Sequence, residues 1–555
     1  MKSDNKQGAP MLVNRGRAVE AIYRKPEIPD YEGNPLLEAL PPMLTTEQAM
    51  VRLAYYPKYD ELQRKEQDHI RYLRIQNGMR FFAPLDVHID LERRFGCLMR
   101  VGYAGRNPLV IGYQNWIQHK LDSLGHGDQY GEYELEQNQP SSTAAGFNIV
   151  GMSGVGKSRS VLRILNLYPQ VIRHSQYRGK NFTESQLTWL KLECPFDGNT
   201  KGLCIQFFKA VDSILGTNYR RSFGRDYRIQ DAMLSDMSTV AANHFLGVLV
   251  IDEIQRLSLA KSGGAEKMLN FFVELVNEIG VPVVLIGTHK ALSVLSGEFS
   301  QMRRGTGQGD MIWNRMVKDD QWQLFVESLW RFQYTRKECP LNGKPNLRKK
   351  LDMKDIPSLS DVLYDETQGI TDLAVKVYMF AQERAIDSGK EVVTAKIIQS
   401  AAKDKLRIPR EVLYALKTGD KAALERFEDV YPKNFESYLN QLPEEVEVVG
   451  SFQYSPAIQA LLKKHYQNIK GLQPPTELAS QLTQDAVLSE ADVQSKPSNT
   501  EAKSREHTRK NKKAESASVK GELSNIVATL NSKNGVSAYE ALRHAGYMRP
   551  ASEYL

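Results

Sequence analysis

The chain has 555 residues, of which 41% are hydrophobic, 25% charged and 9% aromatic, and its formal net charge is +7 at pH 7. The apolar content is sufficient for at least one large core, and the length predicts about three or four folding units. The charge excess is too small for a histone-like polycation, and it permits a nucleic-acid-binding surface without requiring one.

The cysteines and the apolar runs indicate the cellular compartment. No two of Cys97, Cys194, Cys204 and Cys339 have the CxxC spacing of a zinc site, so free thiols in a reducing compartment are expected. The first residues lack the apolar stretch of a signal peptide, and the longest apolar runs are only as long as a strand. We therefore expect a cytoplasmic protein without a membrane contact.

Residues 1–135 are predicted to form an irregular N-terminal region. Seven prolines between residues 26 and 84 interrupt any long helix there. Short helices are predicted over 34–40, 45–53 and 89–100. A polar, glycine-rich stretch over 125–143 is typical of a connector.

An α/β core is predicted over residues 136–335. Short apolar strands alternate there with amphipathic helices, the pattern of a parallel sheet covered by helices on both faces. Strands are predicted over 147–150, 187–194, 248–252 and 281–287. Helices are predicted over 158–167, 201–215, 229–245 and 266–279.

The remainder of the chain is predicted to be helical, with one disordered segment. A helical lid is predicted over 336–410 and a helical extension over 411–472. Helices are expected over 322–332, 372–388 and 394–405, with Thr371 and Thr394 as caps. Residues 473–520 are rich in Gln, Ser, Glu, Thr and Lys, the composition of a disordered linker, and residues 503–520 hold seven Lys or Arg against two Glu. Residues 521–555 regain helical periodicity and are predicted to be a small C-terminal module.

Residues 151–158 form a complete GxxxxGK motif followed by Ser, between a predicted strand and a predicted helix. Its glycines allow backbone N–H groups to surround phosphates, and the helix N-terminus adds a favourable dipole. Lys157 is expected to reach the β- and γ-phosphates of ATP, and Ser158 to bind Mg²⁺. The alternative is a glycine-rich turn without a ligand. The other nucleotide-binding candidates are Gly151, Ser153, Gly154, Val155, Gly156 and Arg159.

A second motif follows the apolar strand predicted over 248–252. Asp252 and Glu253 come at its end, and Asp252 lies 95 residues after Lys157. Asp252 is the candidate Mg²⁺ ligand, and Glu253 is the candidate that polarises the attacking water. Thr288 ends the next predicted strand, where ATPases of this layout sense the γ-phosphate. Its alternative role is a strand-end cap.

Two further sites carry cationic candidates. Arg303 and Arg304 come shortly after the strand predicted over 281–287, where arginines often project into the site of a neighbouring subunit and stabilise charge on the transferred phosphoryl group. Their alternative is a solvated basic turn. Lys376, on a predicted lid helix, is a candidate phosphate contact, although the usual arginine is absent from that helix.

Together, these motifs resemble the AAA+ family of ATPases, and more closely the TnsC-type (TnsC/TniB) regulators of target-selective cut-and-paste bacterial transposons. The resemblance covers most of residues 30–400. Besides the ATPase motifs it rests on NPLLEALPP (34–42), VGYAGRNP (101–108), LVIDEIQ (249–255), SGGAEKMLNFFVELVNEIGVPVVLIGT (262–288) and MRRGTGQG (302–309).

The resemblance implies a P-loop AAA+ core with a helical lid that binds ATP and Mg²⁺. It implies a homo-oligomeric ring or filament on double-stranded DNA, bound without sequence preference, that links a target-selector protein to transposase subunits, including an endonuclease. Hydrolysis then disassembles the oligomer, so that ATP serves as a switch. By position, residues 1–135 are the candidate selector contact and residues 521–555 the candidate transposase contact. The alternative is an ATPase similar to IstB and DnaC that loads helicases or remodels DNA.

A ring on DNA requires Lys or Arg side chains that face its pore and contact phosphates. The first candidate is the turn of Asn199, Thr200 and Lys201, and the second is the pair Arg220 and Arg221. Each of the two could instead be a solvated charged surface. The basic run over 503–520 could add a nonspecific attraction to DNA that weakens with salt.

Overall fold

The computed structural model describes residues 18–122, 143–225, 229–259, 264–295, 309–341, 357–424, 426–427, 460–461 and 464. All of them belong to one compact unit, Met1–Leu482, and a second unit comprises Thr483–Leu555. The linker predicted over 473–520, the module predicted over 521–555, and both Arg303 and Arg304 lie outside the described residues.

The strands are β1 (Ala18–Glu20), β2 (Phe147–Gly151), β3 (Val171–Tyr177), β4 (Lys180–Leu187), β5 (Leu190–Glu193), β6 (Leu249–Asp252), β7 (Val283–Gly287) and β8 (Met311–Trp313). The helices of the N-terminal region are α1 (Pro35–Glu38), α2 (Thr46–Leu53), α3 (Asp68–Gln76), α4 (Asp86–Ala104) and α5 (Ile111–Asp122). Those of the core are α6 (Lys157–Leu165), α7 (Thr200–Leu215), α8 (Tyr219–Phe223), α9 (Gln230–Asn243), α10 (Gly264–Glu274), α11 (Leu292–Leu295) and α12 (Asp320–Trp330). The lid and the residues after it contain α13 (Leu359–Thr367), α14 (Thr371–Asp387), α15 (Ala395–Lys405), α16 (Arg410–Thr418) and α17 (Lys421–Leu424).

The central sheet has five parallel strands in the order β5-β6-β7-β2-β8. Strand β7 therefore separates β2, which leads into the phosphate loop, from β6, which ends at Asp252. The strand between the two motifs in sequence, β5, lies at the sheet edge beyond β6. The predicted parallel α/β sheet with helices on both faces is confirmed.

Alternate side chains of the central strands enter two different cores. In β7, Val284 and Ile286 belong to one core, and Val283 and Leu285 belong to the other. All four are buried, and each buried aliphatic side chain contributes about 1.5–3 kcal/mol. Burial on both faces explains why this strand reads as a continuous apolar run.

The N-terminal region packs on the first of these cores through α4. This 19-residue helix begins two residues after Pro84, with Leu85 at its cap position, and is longer than the helix predicted over 89–100. Its side chains Leu91 and Phe95 share a core with Tyr378 of the lid. The seven prolines therefore all precede α4, and a continuous apolar core joins the region to the central sheet.

A second sheet, which the sequence analysis did not predict, has the order β1-β3-β4. Strands β3 and β4 form an antiparallel hairpin whose two turn residues, Arg178 and Gly179, both have positive φ, as in type I′ turns. The single strand predicted over 187–194 is wrong: Leu187 ends β4, and β5 starts at Leu190. The chain crosses between the two sheets here, because the Thr188 N–H donates to Gln170 and the Leu190 N–H to Val248.

Most predicted helices are present, with ends within a few residues of the prediction. Thr394 caps α15 by accepting a hydrogen bond from the Ile397 N–H. The prediction for Thr371 is wrong, because Ile370 holds the cap position and the Thr371 hydroxyl donates to the Val155 carbonyl. All four cysteines are free thiols, and none of the helices in the described ranges has the length and apolar character needed to span a membrane.

Candidate nucleotide-binding site

The carboxyl ends of the central strands open onto a cavity of about 290 Å³. Five of the predicted site residues line it together, namely Lys157, Ser158, Asp252, Glu253 and Thr288. They come from two strand ends and one helix N-terminus, at the edge where open parallel sheets bind their ligands. Ser153, Gly154, Val155, Gly156 and Arg159 also line the cavity, whereas Gly151 ends β2 beneath it.

The phosphate loop passes directly into α6. Gly156 holds the cap position with φ of +104°, which a residue with a side chain adopts only under strain. The Lys157 ammonium is buried and donates to the carbonyls of Gly151 and Met152, each at 2.7 Å. A phosphate oxygen is a stronger acceptor than a carbonyl, so a bound triphosphate would attract this ammonium away from the loop.

The buried carboxylate of Asp252 has partners on both oxygens. Its Oδ2 lies 2.7 Å from the Nζ of Lys191 on β5, and its Oδ1 accepts the Glu253 N–H at 3.0 Å. The sequence analysis missed Lys191, because its strand alternates leucines with charged residues and nothing local marks Lys191 as the buried one. A buried lysine requires a partner, and Asp252 provides it.

The Glu253 carboxylate is held by a residue two positions later. Glu253 has φ of +60°, which is unusual for a residue other than glycine. Its Oε2 accepts a hydrogen bond from the Gln255 Nε2 at 2.7 Å, and Gln255 Oε1 accepts the Thr288 N–H at 3.1 Å. The sequence analysis gave Gln255 no role.

The N-terminal region forms an apolar wall of the same cavity. Its contribution includes Phe81, Phe82 and His88, and Phe325 adds a further aromatic ring. The His88 Nδ1 accepts the Leu85 N–H, and burial, aided by nearby arginines, lowers the pKa of His88 to about 3. His88 is therefore neutral at pH 7. This wall was missed, because its residues precede the phosphate loop by about seventy positions.

The lid touches the phosphate loop at the start of α14. The Asp372 N–H donates to the Gly154 carbonyl at 3.2 Å, and both Thr371 and Asp372 line the cavity. The predicted phosphate contact Lys376 does not line it: the Lys376 ammonium lies 2.6 Å from the Asp372 carboxylate. A phosphate contact by Lys376 would therefore require it to leave Asp372.

The predicted DNA contacts differ in exposure. Asn199 is exposed, and its side chain caps α7 by accepting the Lys201 N–H at 2.9 Å. Thr200 is only 2% exposed, so the prediction that its side chain contacts DNA is not compatible with this structure. Arg220 and Arg221, on α8, are both exposed.

The chemistry of the predicted magnesium ligands suits that ion. Ser158 and Asp252 supply a hydroxyl and a carboxylate, the hard oxygen donors that Mg²⁺ prefers, and Mg²⁺ in nucleotide sites needs only one or two protein ligands beside phosphates and water. Within the described ranges, no group of three or more His, Cys, Asp or Glu could hold a metal ion by itself. The residues present thus fit Mg²⁺ bound together with a nucleotide.

Comparison with known proteins agrees with this geometry. Residues 141–295 match the family described as an AAA domain, and the fold is the P-loop fold of AAA+ ATPases. A search of curated protein sequences gives no significant match to this chain.

Three solved structures illustrate the similarity of the fold. The Walker-type ATPase of Pyrococcus abyssi is 13% identical, with 63% of this chain and 86% of that chain covered and a TM-score of 0.29. Cdc6p from Pyrobaculum aerophilum is 13% identical, with coverage of 64% and 94% and a TM-score of 0.31. The Aeropyrum pernix ORC1 protein, solved in complex with DNA, is 12% identical, with coverage of 68% and 82% and a TM-score of 0.29.

Proposed function

We propose that this protein is an ATP-dependent regulator of DNA transposition that assembles on duplex DNA and is released by ATP hydrolysis. The observation that carries the ATPase part is the shared cavity of Lys157, Ser158, Asp252, Glu253 and Thr288. The resemblance of its motifs to TnsC-type regulators supports the transposition part.

In this proposal the nucleotide lies between the phosphate loop and the N-terminal wall. The backbone N–H groups of the loop and the Lys157 ammonium bind the phosphates, and the rings of Phe81 and Phe82 contact the base. The start of α14 lies against the loop, so nucleotide binding is coupled to the position of the lid.

Glu253 accepts the proton of the attacking water. The water oxygen forms a bond to the γ-phosphorus, and the bond from that phosphorus to the β,γ-bridging oxygen breaks, so that ADP leaves with the electron pair. Mg²⁺, when bound by Ser158 and Asp252, neutralises charge on the β- and γ-phosphates. Thr288 contacts the γ-phosphate side of the site from the end of β7.

Hydrolysis depends on assembly in this proposal. Arg303 or Arg304 of a neighbouring subunit adds positive charge at the transferred phosphoryl group, so an isolated subunit hydrolyses ATP slowly. ATP thus acts as a switch: the bound form assembles into a ring or filament, and hydrolysis dissolves it.

The exposed arginines of α8 support the DNA-binding part. Arg220 and Arg221 lie on its surface, exposed Arg225 comes two residues after its end, and Lys201 is the second residue of α7. Contacts of these side chains with phosphates bind DNA without reading its sequence.

We further propose a target-selector contact through residues 1–135, a transposase contact through residues 521–555, and a cytoplasmic location. The second candidate function is a helicase loader or DNA remodelling ATPase similar to IstB and DnaC.

The variant Glu253→Gln tests the switch. It should bind ATP as the wild type does, hydrolyse it at least a hundredfold more slowly, and remain on duplex DNA in fluorescence anisotropy after the wild type has dissociated. A variant that fails to bind ATP, or that binds DNA equally without nucleotide, would contradict the switch. Continuous ATP-driven strand separation by the wild type would favour the second candidate function.

A further inference from the structure

We propose that Gln255 is a positioning residue for ATP hydrolysis, connecting the end of β7 to the carboxylate of Glu253. This inference rests on the proposed ATPase function. Gln255 also lines the cavity, although it is neither a predicted metal ligand nor a predicted phosphate contact.

The two ends of the Gln255 carboxamide have different partners. The Nε2 group donates to Glu253 Oε2 at 2.7 Å, a short bond typical of a charged acceptor. The Oε1 atom accepts the Thr288 N–H at 3.1 Å, at the end of β7. Since an amide donates only through nitrogen and accepts only through oxygen, this pair of bonds fixes the orientation of the carboxamide.

The end of β7 is shaped to admit this side chain. A Cβ atom at Gly287 would lie 3.0 Å from Gln255 Oε1 and 2.8 Å from atoms of both Ile254 and Ala291. A larger residue at this position would displace the carboxamide, so Gly287 leaves the space in which Gln255 reaches the strand.

The bond matters because little else fixes Glu253. Its side chain is 41% exposed, and the guanidinium of Arg256 lies as far as 4.0 Å from its carboxylate. A carboxylate with this freedom visits several rotamers, and only some of them can accept the proton of a water at the γ-phosphate. Gln255 restricts that freedom, because its carboxamide is itself held at the end of β7.

Steady-state hydrolysis with saturating duplex DNA tests this role in the full chain. The variant Gln255→Met keeps the length of the side chain and loses both hydrogen bonds, so kcat should fall about tenfold while KM and ATP affinity stay within about twofold. The variant Gln255→Glu keeps the acceptor for Thr288 but cannot donate to Glu253, and its kcat should also fall.

Hydrogen exchange without nucleotide provides an independent readout. The Thr288 amide should exchange faster in Gln255→Met and at the wild-type rate in Gln255→Glu, because only the latter retains the acceptor. The matched control is Ser258→Ala, which removes a hydrogen bond to the Gln255 backbone carbonyl and leaves the carboxamide intact. Its kcat should equal that of the wild type.

Two outcomes would overturn the proposal: an unchanged kcat in Gln255→Met, or a loss that appears only as a raised KM. The variant Glu253→Gln separates these failures from that of the ATPase proposal. Should Glu253→Gln abolish hydrolysis while Gln255→Met does not lower kcat, only the role of Gln255 is wrong. Should Glu253→Gln hydrolyse ATP normally, the proposed role of Glu253 is wrong.

Discussion

The ammonium of Lys191 lies 2.7 Å from the carboxylate of Asp252, and the two side chains are only 9% and 6% exposed. Asp252 is the candidate Mg²⁺ ligand, so a cation supplied by the neighbouring strand already compensates its charge. Neighbouring parallel strands bring the pair together, since β5 and β6 are in register from Leu190 and Leu249 onward. The charge of Asp252 can therefore be buried before a nucleotide binds.

The variant Lys191→Met should lower the free energy of unfolding by about 3–5 kcal/mol, because it leaves Asp252 buried with a single backbone donor. Urea denaturation without Mg²⁺ measures this loss. The double variant Lys191→Met with Asp252→Asn should recover most of it. A double variant as unstable as Lys191→Met alone would show that packing, and not charge, accounts for the loss.

A buried bidentate ion pair joins the N-terminal region to the lid. Arg71 of α3 donates to both carboxylate oxygens of Glu391, at 2.8 and 2.7 Å, and is fully buried. We expect Arg71→Met to cost about 3–5 kcal/mol of unfolding free energy. The matched control is Arg74→Met, because Arg74 forms a partly exposed ion pair with Glu66. This substitution should cost less than about 1 kcal/mol. Equal losses in thermal or urea denaturation would refute the distinction.

The aromatic wall should contribute to nucleotide affinity. Replacing Phe82 by Leu should raise the Kd for ATP about three- to tenfold, because the proposed site places its ring against the base. The kcat at saturating ATP should change little, since Phe82 has no part in the proposed hydrolysis step. Titration with a fluorescent ATP analogue measures this effect. Tyr414→Leu serves as the control, since Tyr414 is 68% exposed on α16 and does not line the cavity. An unchanged Kd for Phe82→Leu would place the base elsewhere.

Glu92 should make stability depend on pH. Burial raises the pKa of this carboxyl from 4.5 to about 7, against the opposing charges of Arg100 and Arg52. Its protonated form thus stabilises the fold fully below pH 4.5, and this stability is lost as the pH rises through about 7.

The variant Glu92→Gln lacks this titration. As the pH is raised from 5 to 8, the free energy of unfolding of this variant should rise by about 2–3 kcal/mol relative to that of the wild type. Urea denaturation at both pH values gives the difference, and contributions of other groups cancel in it. Glu327→Gln, at an exposed position, should show no such gain. A constant difference between Glu92→Gln and the wild type would show that Glu92 is ionised throughout.

The central sheet and the phosphate loop could be predicted because their signals are local. A buried parallel strand is a continuous apolar run, and the loop is a contiguous motif with fixed spacing. The hairpin of β3 and β4 gave no such signal: its turn has arginine at its first position where Asn or Asp is usual, and its strands carry His174 and Gln186 inside.

The missed site residues depend on pairing between distant segments. Lys191 has a role only because β5 lies beside β6. Gln255 has a role only because its carboxamide accepts the Thr288 N–H at the end of β7. Phe81 and Phe82 line the cavity because their segment, which leads into α4, packs on the first core. Local periodicity contains none of these relations. The contacts of Thr371 and Thr200 were misjudged for the same reason, since tertiary neighbours decide which way each side chain faces.

The central claim is that ATP controls assembly on DNA. Electron microscopy of the full-length protein with duplex DNA measures it most directly, with a nonhydrolysable ATP analogue in one sample and ADP in the other. The account predicts rings or filaments on DNA with the analogue and dispersed subunits with ADP. Dispersed subunits in both samples, or equal assemblies in both, would contradict it.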